Sequence, residues 1–187
     1  FLDKMIGDLD LLWFPNLNFW QISPQVKVIV TIHDLSYVLL PWAFSPKMRL
    51  WHKIINPRKK LERANKIIAV SENTKNDLME LYRLPAAKIE VIHSAISHFD
   101  QVIDPELVKK KYNLPDNFIL YFGTLEPRKN VEGVIRAFEK IIQPDCHLVI
   151  AGGQGWLYRK IYQLVKKSKK KDLIHFTDYI APADRPA

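Results

Sequence analysis

Short, β-branched apolar runs alternate with longer amphipathic stretches along almost the whole chain. The apolar runs have the length of strands, and strands are predicted at residues 10–14, 26–32, 66–70, 88–92, 118–122, 147–151 and 173–176. Helices are predicted at residues 46–64, 73–81, 105–112, 131–142 and 156–167, the first with a break or kink near Asn56-Pro57. Strands that alternate with helices predict parallel sheets covered on both faces, which is an α/β architecture.

The length of 187 residues allows one large domain or two small ones. Residues 93–101 lack strong periodicity, which favours a boundary there and two domains, at residues 1–100 and 101–187. Each domain then holds three or four strands, fewer than a complete doubly wound domain has. A hydrophobic content of 48% excludes a disordered chain.

Several classes of protein are excluded by what the sequence lacks. The single cysteine, Cys146, excludes an intramolecular disulfide framework, and the six histidines show no metal-ligand spacing, so we expect no metal site. The apolar runs are too short to cross a membrane. The chain opens with Phe1 instead of Met and has no signal-peptide layout. We therefore expect a cytoplasmic protein, cut from something longer.

The formal net charge of +8 is concentrated in two basic segments, residues 47–66 and 166–171. A positive potential of this size attracts nucleic acid, anionic lipid headgroups or phosphorylated substrates. The alternative is a solvated helix face. No helix-turn-helix, RNP or zinc-finger signature supports nucleic acid as the partner, and we expect none.

The segment Tyr-Phe-Gly-Thr-Leu-Glu-Pro-Arg-Lys-Asn at positions 121–130 carries the strongest chemical signal. A predicted strand ends, Gly123 permits a turn, and Arg128 and Lys129 directly precede a predicted helix. Free N–H groups, the helix dipole and two cations suit an anion such as a phosphate. The alternative is a surface loop whose cations pair with Glu126 or with water.

Three other strand ends are candidate ligand sites. Gly-Gly-Gln-Gly at 152–155 matches neither common nucleotide-binding glycine motif, so a tight turn is the simpler interpretation. His33 follows a predicted strand, where open α/β sheets bind ligands, but a histidine that bonds to nearby backbone is the simpler interpretation. Asp34 either orients its ring or caps the turn. Ser71 is expected to cap a helix.

Taken together, these segments resemble the family 4 glycosyltransferases. Thr-Ile-His-Asp-Leu at 31–35, Ile-Ala-Val-Ser-Glu-Asn-Thr at 68–74 and Lys-Ile-Glu-Val-Ile-His at 88–93 resemble the N-terminal domain of that family. Residues 121–130 and 148–156 resemble the start of its nucleotide-sugar-binding domain. The likeness is greatest to the mannosyltransferase-like bacterial members, which act in polysaccharide and lipopolysaccharide biosynthesis.

This resemblance implies the GT-B fold, with two facing Rossmann-like domains. It also implies transfer of a sugar, with mannose favoured, from a GDP- or UDP-sugar to a glycan or lipid-linked acceptor with retention of configuration and without a metal or other cofactor. Arg128 and Lys129 would hold the donor diphosphate, and His33 would reach the donor sugar. Gly123, Thr124 and Gly153 complete the expected donor-binding residues.

The sequence also departs from the family pattern. The family's opening glycine-rich loop would precede Phe1, and its paired-glutamate segment would follow Ala187, so we expect an internal piece with both domains incomplete and no activity by itself. Thr124 stands where many relatives have arginine. A nucleotide-sugar-binding remnant without catalysis is therefore the alternative, and a basic nucleic-acid-binding module is a more distant one. For the enzyme, the basic segment at 47–66 is expected to contact anionic lipid at the inner face of the cell membrane.

Overall fold

The computed structural model describes residues 1–95 and 103–186. The chain divides into two compact units. Unit 1 comprises Phe1–Pro41 and Pro46–Ile96, and unit 2 comprises Trp42–Ser45 and Ser97–Ala187. The predicted boundary at residues 93–101 lies mostly outside the described residues.

Unit 1 is built on a parallel sheet of four strands in the order β1-β2-β3-β4. The strands are β1 (Leu11–Phe14), β2 (Lys27–Ile32), β3 (Lys66–Ala69) and β4 (Ile89–Val91). Its helices are α1 (Asp3–Ile6), α2 (Ser36–Leu39), α3 (Pro46–Ile55), α4 (Pro57–Arg63) and α5 (Glu72–Tyr82).

The core of unit 1 forms around the inner strands. Val28 and Val30 of β2 and Ile67 of β3 are fully buried, and Leu61 of α4 and Leu78 of α5 pack against the same cluster. β-Branched side chains suit a strand that is covered on both faces, which is why these runs are almost continuously apolar.

Unit 2 contains a parallel sheet of three strands in the order β5-β6-β7. The strands are β5 (Phe118–Phe122), β6 (His147–Ala151) and β7 (Ile174–Asp178), and the helices are α6 (Pro105–Tyr112), α7 (Val131–Phe138) and α8 (Arg159–Lys167). Leu148 and Ile150 of the central strand are fully buried together with Ile135 of α7. Leu120 and Phe122 of β5 stay more than half exposed, so the expected cover on both faces is incomplete there.

The seven predicted strands and the parallel α/β class are confirmed, but two predicted helices were wrong in extent. The break predicted near Asn56-Pro57 is confirmed, since the segment 46–64 divides into α3 and α4 at Asn56, which takes a left-handed conformation (φ 51°) and caps α4. The helix predicted at 131–142 ends at Phe138, and Ile142 is 96% exposed. The last helix begins at Arg159, because Leu157 has a φ of 60°, which a helix cannot include.

Unit 2 includes a short segment that is distant in sequence. Ala43 is fully buried, and its carbonyl accepts a hydrogen bond of 2.5 Å from the indole N–H of Trp156. Phe44 stacks on the same indole at 5.6 Å between ring centroids. The four residues 42–45 therefore belong to the packing of unit 2, although they precede its first strand by more than seventy positions.

Candidate functional site

The loop between β5 and α7 has the geometry of an anion-binding turn. Gly123 follows β5 with a φ of 156°, which side chains rarely permit, and the chain then forms a short 3₁₀ turn at Pro127–Lys129. Asn130 adopts a left-handed conformation, and its side chain accepts a hydrogen bond from the backbone N–H of Gly133. We call residues 123–130 the first loop. It delivers Lys129 directly to the N-terminus of α7.

The two cations of the first loop differ in their surroundings. Glu126 is only 3% exposed, and its Oε1 accepts hydrogen bonds from Arg128 at 2.9 Å (Nε) and 2.7 Å (Nη2). Because the carboxylate is buried, it holds the guanidinium in one orientation and offsets its charge. The pairing with Glu126 that the sequence left open is therefore formed by Arg128.

Lys129, in contrast, is exposed. In the part of the chain that the structure describes, its ammonium forms no hydrogen bond or ion pair, not even with Glu132 in the first turn of α7. A cation beside a helix N-terminus is repelled by the dipole, so this end of α7 carries net positive potential. Such a position favours a bound anion.

The glycine-rich turn after β6, which we call the second loop (residues 152–156), packs against the first loop. The backbone N–H of Gly123 donates to Ala151 at 2.9 Å, that of Leu125 donates to Gly153 at 3.0 Å, and that of Gly155 donates to Leu125 at 3.1 Å. A Cβ atom on Gly152 would lie 2.0 Å from the carbonyl oxygen of Gly123. The close approach in this loop is therefore made to protein backbone.

The roles of these glycines in the structure differ from the roles that the sequence predicted. Gly152 and Gly155 are the two glycines at which an added Cβ would collide with the first loop. The Cβ would lie 2.0 Å from the Gly123 carbonyl oxygen at position 152 and 2.8 Å from the Thr124 side chain at position 155. Gly153, which the sequence assigned to the donor, has only a Tyr179 carbon near its missing Cβ, at 3.9 Å. Sequence reasoning missed the two packing glycines, because only the neighbouring loop distinguishes them from Gly153.

Tyr121 supports the first loop from the strand beneath it. Its hydroxyl donates to the carbonyl oxygen of Thr124 at 3.3 Å. Burial raises the pKa of this phenol above its usual value, and the charge of Glu126 raises the pKa further. The tyrosine is therefore a neutral donor that fixes the turn, while the Thr124 side chain remains exposed.

In unit 1, His33 lies directly after β2, as predicted. Its Nε2 lies 3.1 Å from the carbonyl oxygen of Pro15. A carbonyl only accepts, so Nε2 carries the proton and donates, which leaves Nδ1 as the acceptor in the neutral ring. A neutral His33 can therefore accept a hydrogen bond from a sugar hydroxyl, and it must be protonated before it donates to a phosphate from Nδ1.

The residues around His33 fix its place in the unit. Asp34 caps the turn into α2, since its Oδ1 accepts hydrogen bonds from the N–H of Ser36 at 2.9 Å and from its hydroxyl at 2.6 Å. Ser71 is the N-cap of α5, as predicted, and accepts from the N–H of Thr74 at 3.1 Å. The Thr74 hydroxyl in turn donates to the backbone carbonyl of His33 at 3.2 Å.

A cleft of about 320 Å³ opens beside His33 in unit 1. Its lining includes the aromatic and polar side chains of Asn16, Thr31, Asp34, Tyr37, Trp51 and His52. Tyr37 and His52 stack at 4.3 Å between ring centroids. The cleft has the mixed apolar and polar lining that small-molecule sites use.

The described residues contain no group of three or more His, Cys, Asp or Glu side chains that could hold a metal ion. His98 lies outside the described residues. Among the residues that the structure does describe, no helix is long and apolar enough to cross a membrane.

Two sequence families match the chain, one on each side of the predicted boundary. Residues 7–98 match the family described as Glycosyltransferase Family 4, and residues 103–187 match Glycosyl transferases group 1. The chain belongs to the family 4 glycosyltransferases, which have the GT-B fold, and the family and fold predicted from the sequence are confirmed.

Several individual relatives are bacterial mannosyltransferases. The chain is 27% identical to the O-antigen chain mannosyltransferase B of Escherichia coli over 176 residues, covering 90% of this chain and 46% of the relative. It is 32% identical to the serotype-specific mannosyltransferase WbdA of Escherichia coli over 122 residues, covering 62% of this chain and 15% of the relative. The chain thus spans less than half the length of either relative.

Solved structures share the fold. WaaG, a glycosyltransferase involved in lipopolysaccharide biosynthesis, superposes with a TM-score of 0.67 at 16% identity, covering 99% of this chain and 52% of that one. HepE from Anabaena, in complex with UDP and glucose, gives a TM-score of 0.62 at 17% identity, covering 87% of this chain and 43% of that one. At these identities the likeness establishes the fold alone.

Proposed function

We propose that this protein transfers a mannose-like sugar from a GDP- or UDP-sugar to a glycan or a lipid-linked acceptor, with retention of anomeric configuration. The names of several relatives, which are mannosyltransferases, support this choice of sugar. The first loop supports a nucleotide diphosphate as the donor, because it combines a glycine turn, a helix N-terminus and two cations.

The observation that carries the proposal is the unpaired ammonium of Lys129 at the N-terminus of α7. Arg128 is oriented by a buried carboxylate, while Lys129 has no partner among the described residues, so an incoming diphosphate meets one fixed cation and one free one. Negative charge grows on the departing nucleoside diphosphate as the sugar leaves. Fixed cations and backbone N–H groups stabilise that charge without a divalent metal.

The remaining residues take supporting roles in this proposal. Gly123, whose own N–H donates to Ala151, permits the turn that brings the backbone at Thr124 close to the diphosphate, and Gly153 lies in the loop that packs behind them. His33 contacts the donor sugar through Nδ1, which accepts a hydrogen bond from a hydroxyl group. The acceptor is a lipid-linked glycan or a growing polysaccharide, and the basic segment at 47–66 is where we expect such a protein to meet a membrane.

Calorimetric titration of the chain with GDP and with UDP tests the donor site. We expect millimolar or tighter binding, and we expect Lys129→Ala to weaken it by roughly tenfold or more, since one charge-assisted contact to phosphate is removed. The matched control is Lys140→Ala, which removes an exposed lysine beyond the opposite end of the same helix. Equal binding by Lys129→Ala and Lys140→Ala would place the diphosphate elsewhere.

Incubation of the full-length protein that contains this chain with GDP-mannose, UDP-glucose and an oligosaccharide acceptor tests the reaction itself, since no activity is expected of the piece alone. If Lys129 stabilises the leaving group, Lys129→Ala lowers turnover by roughly 10²-fold. The anomeric configuration of the product, read by NMR, tests retention. Donor binding without any transfer would favour the alternative, a nucleotide-sugar-binding protein that lacks catalysis.

A further inference from the structure

An exposed tryptophan of unit 2 lies on a turn whose backbone is held in place. Trp42 belongs to a short 3₁₀ turn, Pro41–Ala43, and its side chain is 68% exposed. The next residue, Ala43, is fully buried and accepts the hydrogen bond from the indole of Trp156, on which Phe44 stacks. The Trp42 indole is therefore exposed to solvent from an anchored position. A single exposed apolar side chain is ordinary on a protein surface, but this one borders a cavity.

The cavity beside Trp42 has a volume of about 310 Å³. Small-molecule sites occupy roughly 300–1,000 Å³, so the cavity is large enough for a sugar ring. It lies against the first loop and the beginnings of α7 and α8. Its lining includes Pro127, Asn130, Glu132, Leu157 and Lys160.

The polar groups of the cavity include both donors and acceptors. Glu132 supplies carboxylate oxygens and Lys160 supplies ammonium hydrogens, and neither forms a hydrogen bond or ion pair within the part of the chain that the structure describes. The amide of Asn130 has N–H groups to donate, because its oxygen is the group that caps α7. Glu126 also lines the cavity, but it is paired with Arg128. One uncompensated charge of each sign favours a neutral ligand with hydroxyl groups over an anion or a cation.

Leu157 lines the same cavity in a conformation that leucine rarely adopts. Its φ is 60°, and its side chain is 47% exposed. A residue other than glycine pays a cost in free energy for this left-handed conformation, and residues held in this way cluster at ligand-binding sites. The strained backbone here places an apolar side chain on the wall of a cavity that already has an exposed indole.

We infer that this cavity binds a neutral saccharide, with the Trp42 indole stacked on one face of a sugar ring. A pyranose ring has C–H groups on its faces, which pack on an aromatic ring, and hydroxyl groups around its edge, which require donors and acceptors. Glu132, Lys160 and Asn130 supply those donors and acceptors. A nucleoside diphosphate suits the cavity less well, because its phosphates would meet the carboxylates of Glu132 and Glu126. The binding requires no nucleotide, and only its assignment to a sugar unit of the acceptor glycan rests on the proposed function.

Fluorine NMR of the full-length protein that contains this chain, labelled with fluorotryptophan, tests the inference. Trp42→Phe identifies the Trp42 resonance by its disappearance. Mannotriose or maltotriose should shift this resonance saturably, with a Kd that is millimolar or tighter. Added salt should leave the affinity unchanged, because the ligand carries no charge. In calorimetry, Trp42→Ala should bind the trisaccharide at least roughly tenfold more weakly, since the stacking surface is lost.

Matched variants separate the polar contacts from general effects of substitution. Lys160→Met and Glu132→Gln should each weaken trisaccharide binding by roughly threefold to tenfold, because each removes hydrogen-bonding capacity from the cavity. The control is Lys166→Met, which removes an exposed lysine from the last turn of the same helix and should bind like the unmodified protein. Trp42→Phe keeps a smaller stacking surface and should lose less affinity than Trp42→Ala, and it serves as the test if the alanine variant unfolds early.

The outcomes that would overturn the inference are distinct from those that bear on the donor site. No shift of the Trp42 resonance by either trisaccharide, or equal losses of affinity in Lys160→Met and Lys166→Met, would overturn it. A loss of GDP or UDP affinity in Trp42→Ala would also overturn it, because the cavity would then hold the donor. Nucleotide binding without trisaccharide binding contradicts this inference alone, whereas the reverse result contradicts the proposed donor site alone. A dimer in sedimentation equilibrium that Trp42→Ala dissociates would show that a second copy covers the indole, and the inference would be wrong.

Discussion

Replacing Gly152 by alanine should separate the first and second loops. The added Cβ would lie 2.0 Å from the Gly123 carbonyl oxygen, and real Cβ contacts are at least about 3.0 Å, so the two backbones must move apart by about 1 Å. Hydrogen bonds to the two neighbours of Gly152, from Gly123 to Ala151 at 2.9 Å and from Leu125 to Gly153 at 3.0 Å, would both be stretched beyond bonding distance by such a shift.

The expected loss of stability follows from these contacts. Each broken hydrogen bond contributes about 1 kcal/mol, and alanine at the φ of 150° that Gly152 adopts adds about 1–3 kcal/mol of strain. The sum, about 3–5 kcal/mol, is a large part of the stability of an ordinary domain. The matched control is Gly153→Ala, whose Cβ would have an ordinary contact at 3.9 Å and should change stability by less than about 1 kcal/mol.

Amide hydrogen exchange read by mass spectrometry suits this comparison, because peptides from β5 and β6 report on unit 2 alone. Gly152→Ala should lower the free energy of opening in those peptides and leave peptides from β2 and β3 unchanged. A difference between Gly152→Ala and Gly153→Ala below about 1 kcal/mol would refute the close packing of the two loops.

Two further outcomes follow from other contacts. His175 Nε2 lies 2.8 Å from His147 Nδ1. Burial lowers the pKa of His175 below 6.5, and the charge of His147 lowers it further. Below that pH the unfolded chain binds more protons than the folded one, so the urea midpoint of unit 2 should fall as the pH drops below about 6.5. If the urea midpoint of His175→Gln depended on pH as strongly, the histidine pair would not be the cause. Ser71→Ala removes the cap of α5 and should cost about 1 kcal/mol, read as a lower Tm of unit 1; an unchanged Tm would show that the bond to Thr74 contributes nothing.

The strands were predictable because their signal is local. A run such as Val28-Ile29-Val30 is β-branched and apolar whichever residues lie opposite, and every predicted strand is present. Helix ends were less predictable, since they depend on distant contacts. Ile142 continues the apolar period of α7, yet the chain turns after Phe138, and Trp156 packs on Phe44 instead of starting α8.

The candidate site was predictable in its location but not in its detail. Strand ends, glycines and adjacent cations mark the first loop in the sequence alone. Which cation stays free depends on the burial of Glu126, and which glycine packs against backbone depends on the neighbouring loop. The tautomer of His33 depends on the Pro15 carbonyl, eighteen positions earlier. Each of these features depends on contacts between residues that are apart in the sequence, so no local sequence pattern predicts it.

The segment at 42–45 constrains how chimaeras of this protein with its relatives can be made. Exchanging everything after residue 96 would leave the indole of Trp156 without the Ala43 carbonyl and the Phe44 ring that it packs against. A transplanted unit 2 must bring along its own version of these four residues. A chimaera made with a single crossover would therefore pair residues 42–45 of one protein with the rest of unit 2 of another. An exchange that keeps this packing must transfer both segments of unit 2 together.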